Sequence, residues 1–259
     1  ICCRGSSLCR AVPIQHLLSE GAHMASSTVE GDKYRSHMYG EGEKNTQWRF
    51  GGPPNYDVVN KLFEEGRTQE WPLGSVEEKV QRLVKTWEME MVHKINPADR
   101  KTINNEKFRF SVNGSKGITA DEIRRIGGSY NAFLQTNLSL PEELRYYDPA
   151  KETAESSTAA FTTTFSRGFA VEILQVYSGP PTIVYKFRHW GFMEGPFQGH
   201  APTGEMAQLH GLAVFQLDEA MKIEKVEFFY DGGELIGGLL KGAKTESSAT
   251  TSRCPFIKA

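Results

Sequence analysis

Lys222-Ile-Glu-Lys-Val-Glu-Phe-Phe-Tyr-Asp231 is the stretch on which the fold turns. Val226, Phe228 and Tyr230 alternate with Lys225, Glu227 and Asp231, and only Phe229 breaks the polar set. Successive side chains of a strand point to opposite faces, so the first set faces a core and the second faces water. The same alternation extends upstream over about 168–177, 182–193 and 206–218. These runs are separated by Gly179-Pro-Pro181, Gly195-Pro196 and Asp218-Glu-Ala-Met221, all residues of turn and loop chemistry. Ile183, Tyr185, Phe187 and His189 form the inward set of the second strand, and Leu209, Gly211, Ala213 and Phe215 that of the third.

Ahead of the strands the apolar period lengthens from two to 3.6. Ser75-Val-Glu-Glu78 is a capping box, so a helix begins at Val76, carries Val80, Leu83, Val84, Trp87 and Met91 on one stripe, and ends before Pro97. A second box, Thr119-Ala-Asp-Glu122, opens a helix bearing Ile123, Ile126, Tyr130, Phe133 and Leu134, weakened in its middle by Gly127-Gly128. A short strand, Lys107 to Val112, lies between the two, and a softer helix runs from about Glu152 to Phe165. Helices followed by a run of antiparallel strands predict an α+β fold. The expected form is a cone-shaped, curved antiparallel or mixed sheet packed on a long first helix and two shorter ones.

The flanks read differently. Residues 1–27 are expected to be a disordered or non-native leader, and 28–74 a wrapping arm anchored by Trp48, Phe50, Tyr56, Val58, Val59, Leu62 and Phe63. Residues 75–241 form the α+β domain. The Ser- and Thr-rich 242–259 cannot bury enough apolar surface to offset ordering entropy and are expected to be disordered. A charged fraction of 24%, a hydrophobic fraction of 39% and a net charge of −2 belong to an ordinary globular chain, with no basic field for nucleic acid. No apolar run of about 18 residues predicts a membrane span. Cys2, Cys3, Cys9 and Cys254 all lie near the termini, which excludes a disulfide framework or cysteine zinc site within the fold.

Acid–base chemistry on an apolar substrate needs a titratable group in a dry pocket, and His189 is the first candidate. Tyr185 and Tyr230 could donate to a developing oxyanion. Glu88 borders the first helix's stripe and could serve as a base, whereas Glu90 points away and reads as solvated. Trp87, Met91, Phe110, Phe187, Phe215 and Phe228, with Glu88, are the expected ligand-lining set. His200 lies in a loop, His210 faces outward, and His93 closes a helix, where a cation suits the dipole. No histidine pair has metal-ligand spacing, so neither metal nor other cofactor is expected.

Residues 75–240 resemble the SnoaL-like branch of the nuclear-transport-factor-2-like superfamily. The resemblance is carried by Gly195-Pro-Phe-Gln-Gly-His-Ala-Pro-Thr-Gly204, His210-Gly-Leu-Ala-Val-Phe-Gln-Leu-Asp218 and the strand quoted first. More narrowly, Lys85-Thr-Trp-Glu-Met-Glu-Met91, Tyr177-Ser-Gly-Pro-Pro181 and Tyr185-Lys-Phe-Arg-His-Trp-Gly-Phe192 resemble the plant pathogen-related protein family, from about Met24 to Gly242. The resemblance implies a cytoplasmic, defence-associated protein without an established reaction. SnoaL-type cyclases carry a catalytic Asp where this chain has Phe228, and ketosteroid isomerases an oxyanion-hole Asp near Ala213. Three readings stay open at this point: a binder of a small hydrophobic molecule, an isomerase, cyclase or dehydratase, and a homodimeric interaction module. The last would use the outer set Val184, Arg188, Trp190 and Phe192 of the open sheet face.

Overall fold

The computed structural model describes residues 31–134, 141, 145 and 147–245. The expected leader, and the expected tail beyond residue 245, lie outside the described residues. The order is α1 (Asp57–Gly66), α2 (Val76–His93), β1 (Arg109–Val112), α3 (Ala120–Arg125), α4 (Gly128–Leu134), α5 (Ala154–Thr164), β2 (Ala170–Ser178), β3 (Thr182–Phe192), β4 (Met206–Leu217), β5 (Ile223–Tyr230) and α6 (Gly232–Leu239). The fold is α+β, as expected.

The strands form one unclosed mixed sheet in the order β1-β5-β4-β3-β2, with β1 parallel to β5 and every other pair antiparallel. Register shifts between β2 and β3 and between β4 and β5 supply the local kinks that curve a sheet. On the inner face Tyr185, Ala213 and Phe228 lie side by side across β3, β4 and β5. In the next row Gly211 separates Phe187 from Tyr230, and a Cβ there would stand 2.6 Å from the Phe187 ring. The inward sets read from alternation are buried: Ile183, Tyr185, Phe187, His189, Val226, Phe228 and Tyr230 all belong to the interior.

Helix α2 begins at Val76 as expected, its Ser75 side chain accepting from the Glu78 amide. The reciprocal half of that capping box is missing. The Ser75 amide already donates to the Pro72 carbonyl, and the Glu78 carboxylate turns to Arg82 instead. The helix crosses the inner face, with Trp87 edge-on to Phe215 at 5.2 Å.

Two elements depart from the expectation. The single helix predicted from Ile123 to Leu134 is two, because Gly127 and Gly128 take φ of +94° and +85°, which a right-handed helix cannot contain. Asn131 caps the break, donating to the carbonyls of Ile126 and Pro149. Helix α6, which has four glycines in eight residues, was not foreseen from propensity. It forms because Asp231 caps the Gly233 amide at 2.8 Å and Leu235, Ile236 and Leu239 are buried.

The arm holds a helix of its own, α1, and it covers part of the outer face. Tyr34, Leu62 and Phe63 pack with Ala170 and Trp190 in a second core. Glu172, wholly buried, accepts from the amides of Thr68 and Gln69 and from Arg188, and Arg188 also donates to the Gly66 carbonyl. Trp71 donates to the Ile173 carbonyl at 2.9 Å. Trp190 and Arg188, expected at a dimer interface, therefore sit beneath this chain's own arm. Among the anchors, Leu62 and Phe63 of α1 are buried but Phe50 is 63% exposed, so the arm is fastened around α1 and by polar bonds to β2 and β3, not at Phe50.

Glu90 is also corrected. It is fully buried, paired with Lys94 at 3.0 Å, and accepts from the amides of Lys101 and Thr102.

Candidate functional site

A cavity of about 580 Å³ opens between the arm, α2, the α4–α5 pair and the inner face of the sheet. The stripe of α2 supplies Trp87 and Met91, and β1 and β5 supply Phe110 and Phe228. Phe133 from α4, Phe169 ahead of β2, and Tyr56, Val59 and Phe63 from the arm complete the apolar wall. A second cavity of about 510 Å³ shares Met91, Ile123 and Tyr130 with it and continues outward toward Arg49, Arg100 and Arg124.

Polar side chains are set among these apolar ones, including Arg35, Asn55, Lys85, Glu88, Thr162 and His189. His189 projects from β3, 7% exposed, with the Phe169 ring stacked on it at 5.0 Å and the rings of Phe133 and Phe187 edge-on. Its Nε2 lies 3.4 Å from Glu88 Oε1, and its Nδ1 has no hydrogen-bond partner among the described residues. Two groups read from different stretches of sequence are thus brought together by a helix crossing a sheet. A histidine beside a carboxylate in a cavity is an arrangement that can pass a proton to and from a bound molecule.

Of the other expected site residues, Trp87, Met91, Phe110 and Phe228 line the cavity, whereas Tyr185, Phe187, Phe215 and Tyr230 do not. Tyr185 is fully buried behind the wall, edge-on to Phe215, with its hydroxyl pKa raised by burial. The Tyr230 hydroxyl donates to the Phe133 carbonyl and its ring stacks on Phe133, which holds α4 to the sheet.

The tyrosines that line the cavity are instead Tyr56 and Tyr130, which the sequence presents as an anchor and a helix-stripe residue. Burial pushes Tyr130 up to about 12 and raises Tyr56 further, so both are neutral donors. Lys85 was missed as well. With Glu88 and Val92 it follows an i, i+3, i+7 row on α2, and all three line the cavity; that row of mixed polarity beside the apolar stripe was the signal available. His93, expected as a helix-end cation, instead lies edge-on to Phe50 and Tyr56. Burial, reinforced by Arg49 and Arg35, lowers its pKa to about 4, so it is neutral at pH 7.

Among the described residues, no three His, Cys, Asp or Glu side chains converge on a metal position, and no helix is long and apolar enough to cross a membrane.

No family model matches the chain. Among solved structures it is similar to a protein from Jannaschia described as a SnoaL-like polyketide cyclase, at 17% identity over 72% of this chain and 92% of that one, with a TM-score of 0.35. It is also similar to an NTF2-like protein from Burkholderia thailandensis, at 13% identity over 64% of this chain and 98% of that one, with a TM-score of 0.34. Likenesses this distant say nothing about substrate or reaction. The sequence relationship is much nearer: over 237 residues the chain is 55% identical to a pathogen-related protein from Hordeum vulgare, covering 91% of this chain and 99% of that one. This chain belongs to the pathogen-related protein family.

Proposed function

We propose that this protein is a defence-associated binder of a small hydrophobic molecule, held in the cavity between α2, the arm and the sheet. The observation that carries the reading is the cavity itself. Its volume of about 580 Å³ falls in the range of small-molecule sites, about 300–1,000 Å³, and apolar atoms make up most of its wall, with polar side chains such as Glu88, Thr162 and His189 set among them. The defence association rests on the name borne by the Hordeum relative. A cytoplasmic site of action is part of the same proposal, tested by fractionating the source tissue and probing for the protein in the soluble cell extract.

Binding is tested by titrating an environment-sensitive apolar dye into the protein and displacing it with candidate lipophilic compounds. Saturable binding of one dye per chain is expected. Met91→Trp, which adds bulk at a half-buried lining position, should weaken it roughly tenfold, about 1.4 kcal/mol. Absence of saturation, or indifference to that substitution, defeats the reading.

The His189–Glu88 contact favours a second reading, in which the bound molecule undergoes isomerisation, cyclisation or dehydration through that pair. A neutral tyrosine hydroxyl, Tyr56 or Tyr130, would polarise a carbonyl. Turnover lost in both His189→Gln and Glu88→Gln while dye binding persists supports catalysis; turnover retained in either removes it.

A further inference from the structure

Lys85 is 2% exposed, lies in the middle of α2 and lines the cavity. A buried ammonium needs a counter-charge, and this side chain has none within ion-pair distance among the described residues. The carboxylates that act on it from its surroundings are each engaged elsewhere. Asp32 of the arm is held by Arg35 and Asn60, Glu172 of β2 by Thr68, Gln69 and Arg188, and Glu88 of its own helix faces His189. Arg35 adds a like charge. What Lys85 does touch is aromatic, its Nζ standing 3.2 Å from the ring centroid of Phe63 and 4.7 Å from that of Tyr34. Burial, with Arg35 second, holds its pKa well below the usual lysine value, toward the neutral amine.

A neutral primary amine facing an apolar cavity is the arrangement that forms Schiff bases with carbonyl compounds. We infer that Lys85 is a nucleophile that captures a hydrophobic aldehyde or ketone as an imine inside the cavity; the inference rests on the ligand-binding reading above and narrows its ligand to a carbonyl compound.

The nitrogen lone pair forms the C–N bond while the carbonyl π pair moves onto oxygen, which takes up a proton. The nitrogen then gives up one proton, the hydroxyl takes one and leaves as water as the nitrogen lone pair forms C=N, and loss of the second N–H proton from that iminium gives the imine. One water is released, nothing is oxidised or reduced, and hydrolysis reverses the capture. Glu88 and His189 line the same cavity and are placed to carry these protons.

The test uses the full chain with octanal and sodium cyanoborohydride at pH 7, followed by peptide mapping, with octanol as the non-reacting isostere. Reductive alkylation is expected at Lys85 in roughly tenfold or greater excess over any surface lysine, because exposed amines stay protonated at this pH. Octanol in excess should suppress it. Lys85→Met removes the amine and cannot form an imine, so the adduct should disappear; Lys85→Gln serves if that variant is unstable. If octanol displaces the dye but Lys85 is not enriched, the inference is overturned and the binding reading stands. If Lys85 is labelled indifferently to octanol, capture does not occur in the cavity and the inference is overturned. If octanol neither displaces the dye nor protects, and Lys85 is unlabelled, both fail.

Discussion

Lys94 is wholly buried at the end of α2, and its ammonium is shared by Glu43 at 2.9 Å, Glu90 at 3.0 Å and the carbonyl of Asp99 at 3.0 Å. Removing one partner of a buried ion pair leaves the other charge uncompensated, which costs more than the pair contributes. Lys94→Met should therefore destabilise the fold by about 3–5 kcal/mol, seen as a lower urea midpoint at unchanged slope. Lys94→Met combined with Glu90→Gln should recover part of that loss, because one stranded charge is gone. None of this network could be read from sequence. Helical phase assigns Glu90 to solvent, and its burial depends on Glu43 and Thr102 arriving from other parts of the chain. His189 and Glu88 were readable singly, one from strand phase and one from helix phase, but their 3.4 Å approach is set by the angle at which α2 crosses β3.

At the scale of elements, what was readable followed a local period. Four C-terminal strands came from alternation, and α2 from its stripe and from Ser75, because the forces that make them act within a few residues. Helix α1 escaped because its buried side is short, Leu62 and Phe63, and gains meaning only against Trp190 and Ala170. Its docking depends on Glu172, whose two oxygens take four donors from Thr68, Gln69 and Arg188. Glu172→Ala leaves the Arg188 charge and two amides unmatched, an expected loss of about 3–5 kcal/mol. The arm should then become cleavable between residues 31 and 74 under limited proteolysis while 75–134 and 147–245 stay protected. Dye affinity should fall with it, since Tyr56, Val59 and Phe63 line the cavity. A protected arm in Glu172→Ala would show that apolar packing alone holds it.

The whole molecule is a sheet covered on both faces by its own chain: α2 on the inner face and the arm on part of the outer, with the cavity where the two meet at the start of β2. His93 sits at that junction, between Phe50 and Tyr56. Its pKa falls from about 6.5 when unfolded to about 4 when folded, chiefly through burial, so between those values the unfolded chain binds more protons. His37, likewise lowered first by burial, acts in the same direction. Stability from a depressed histidine is fully present above the unfolded pKa and is lost as pH falls through the window toward the folded one. Acidification from pH 7 to 4.5 should therefore remove on the order of 2–3 kcal/mol through His93 alone, ahead of the carboxylates that titrate lower. His93→Phe keeps an aromatic face toward Phe50 and Tyr56 and carries no proton, so its stability should fall by that much less over the same interval. Equal slopes for the two proteins in chemical denaturation at pH 7, 6, 5 and 4.5 would mean that His93 is hydrated and titrates normally. If the slopes differ as expected, dye binding at the cavity should weaken in the wild type across the same interval and hold in His93→Phe, because one protonation loosens both the arm junction and the wall it forms.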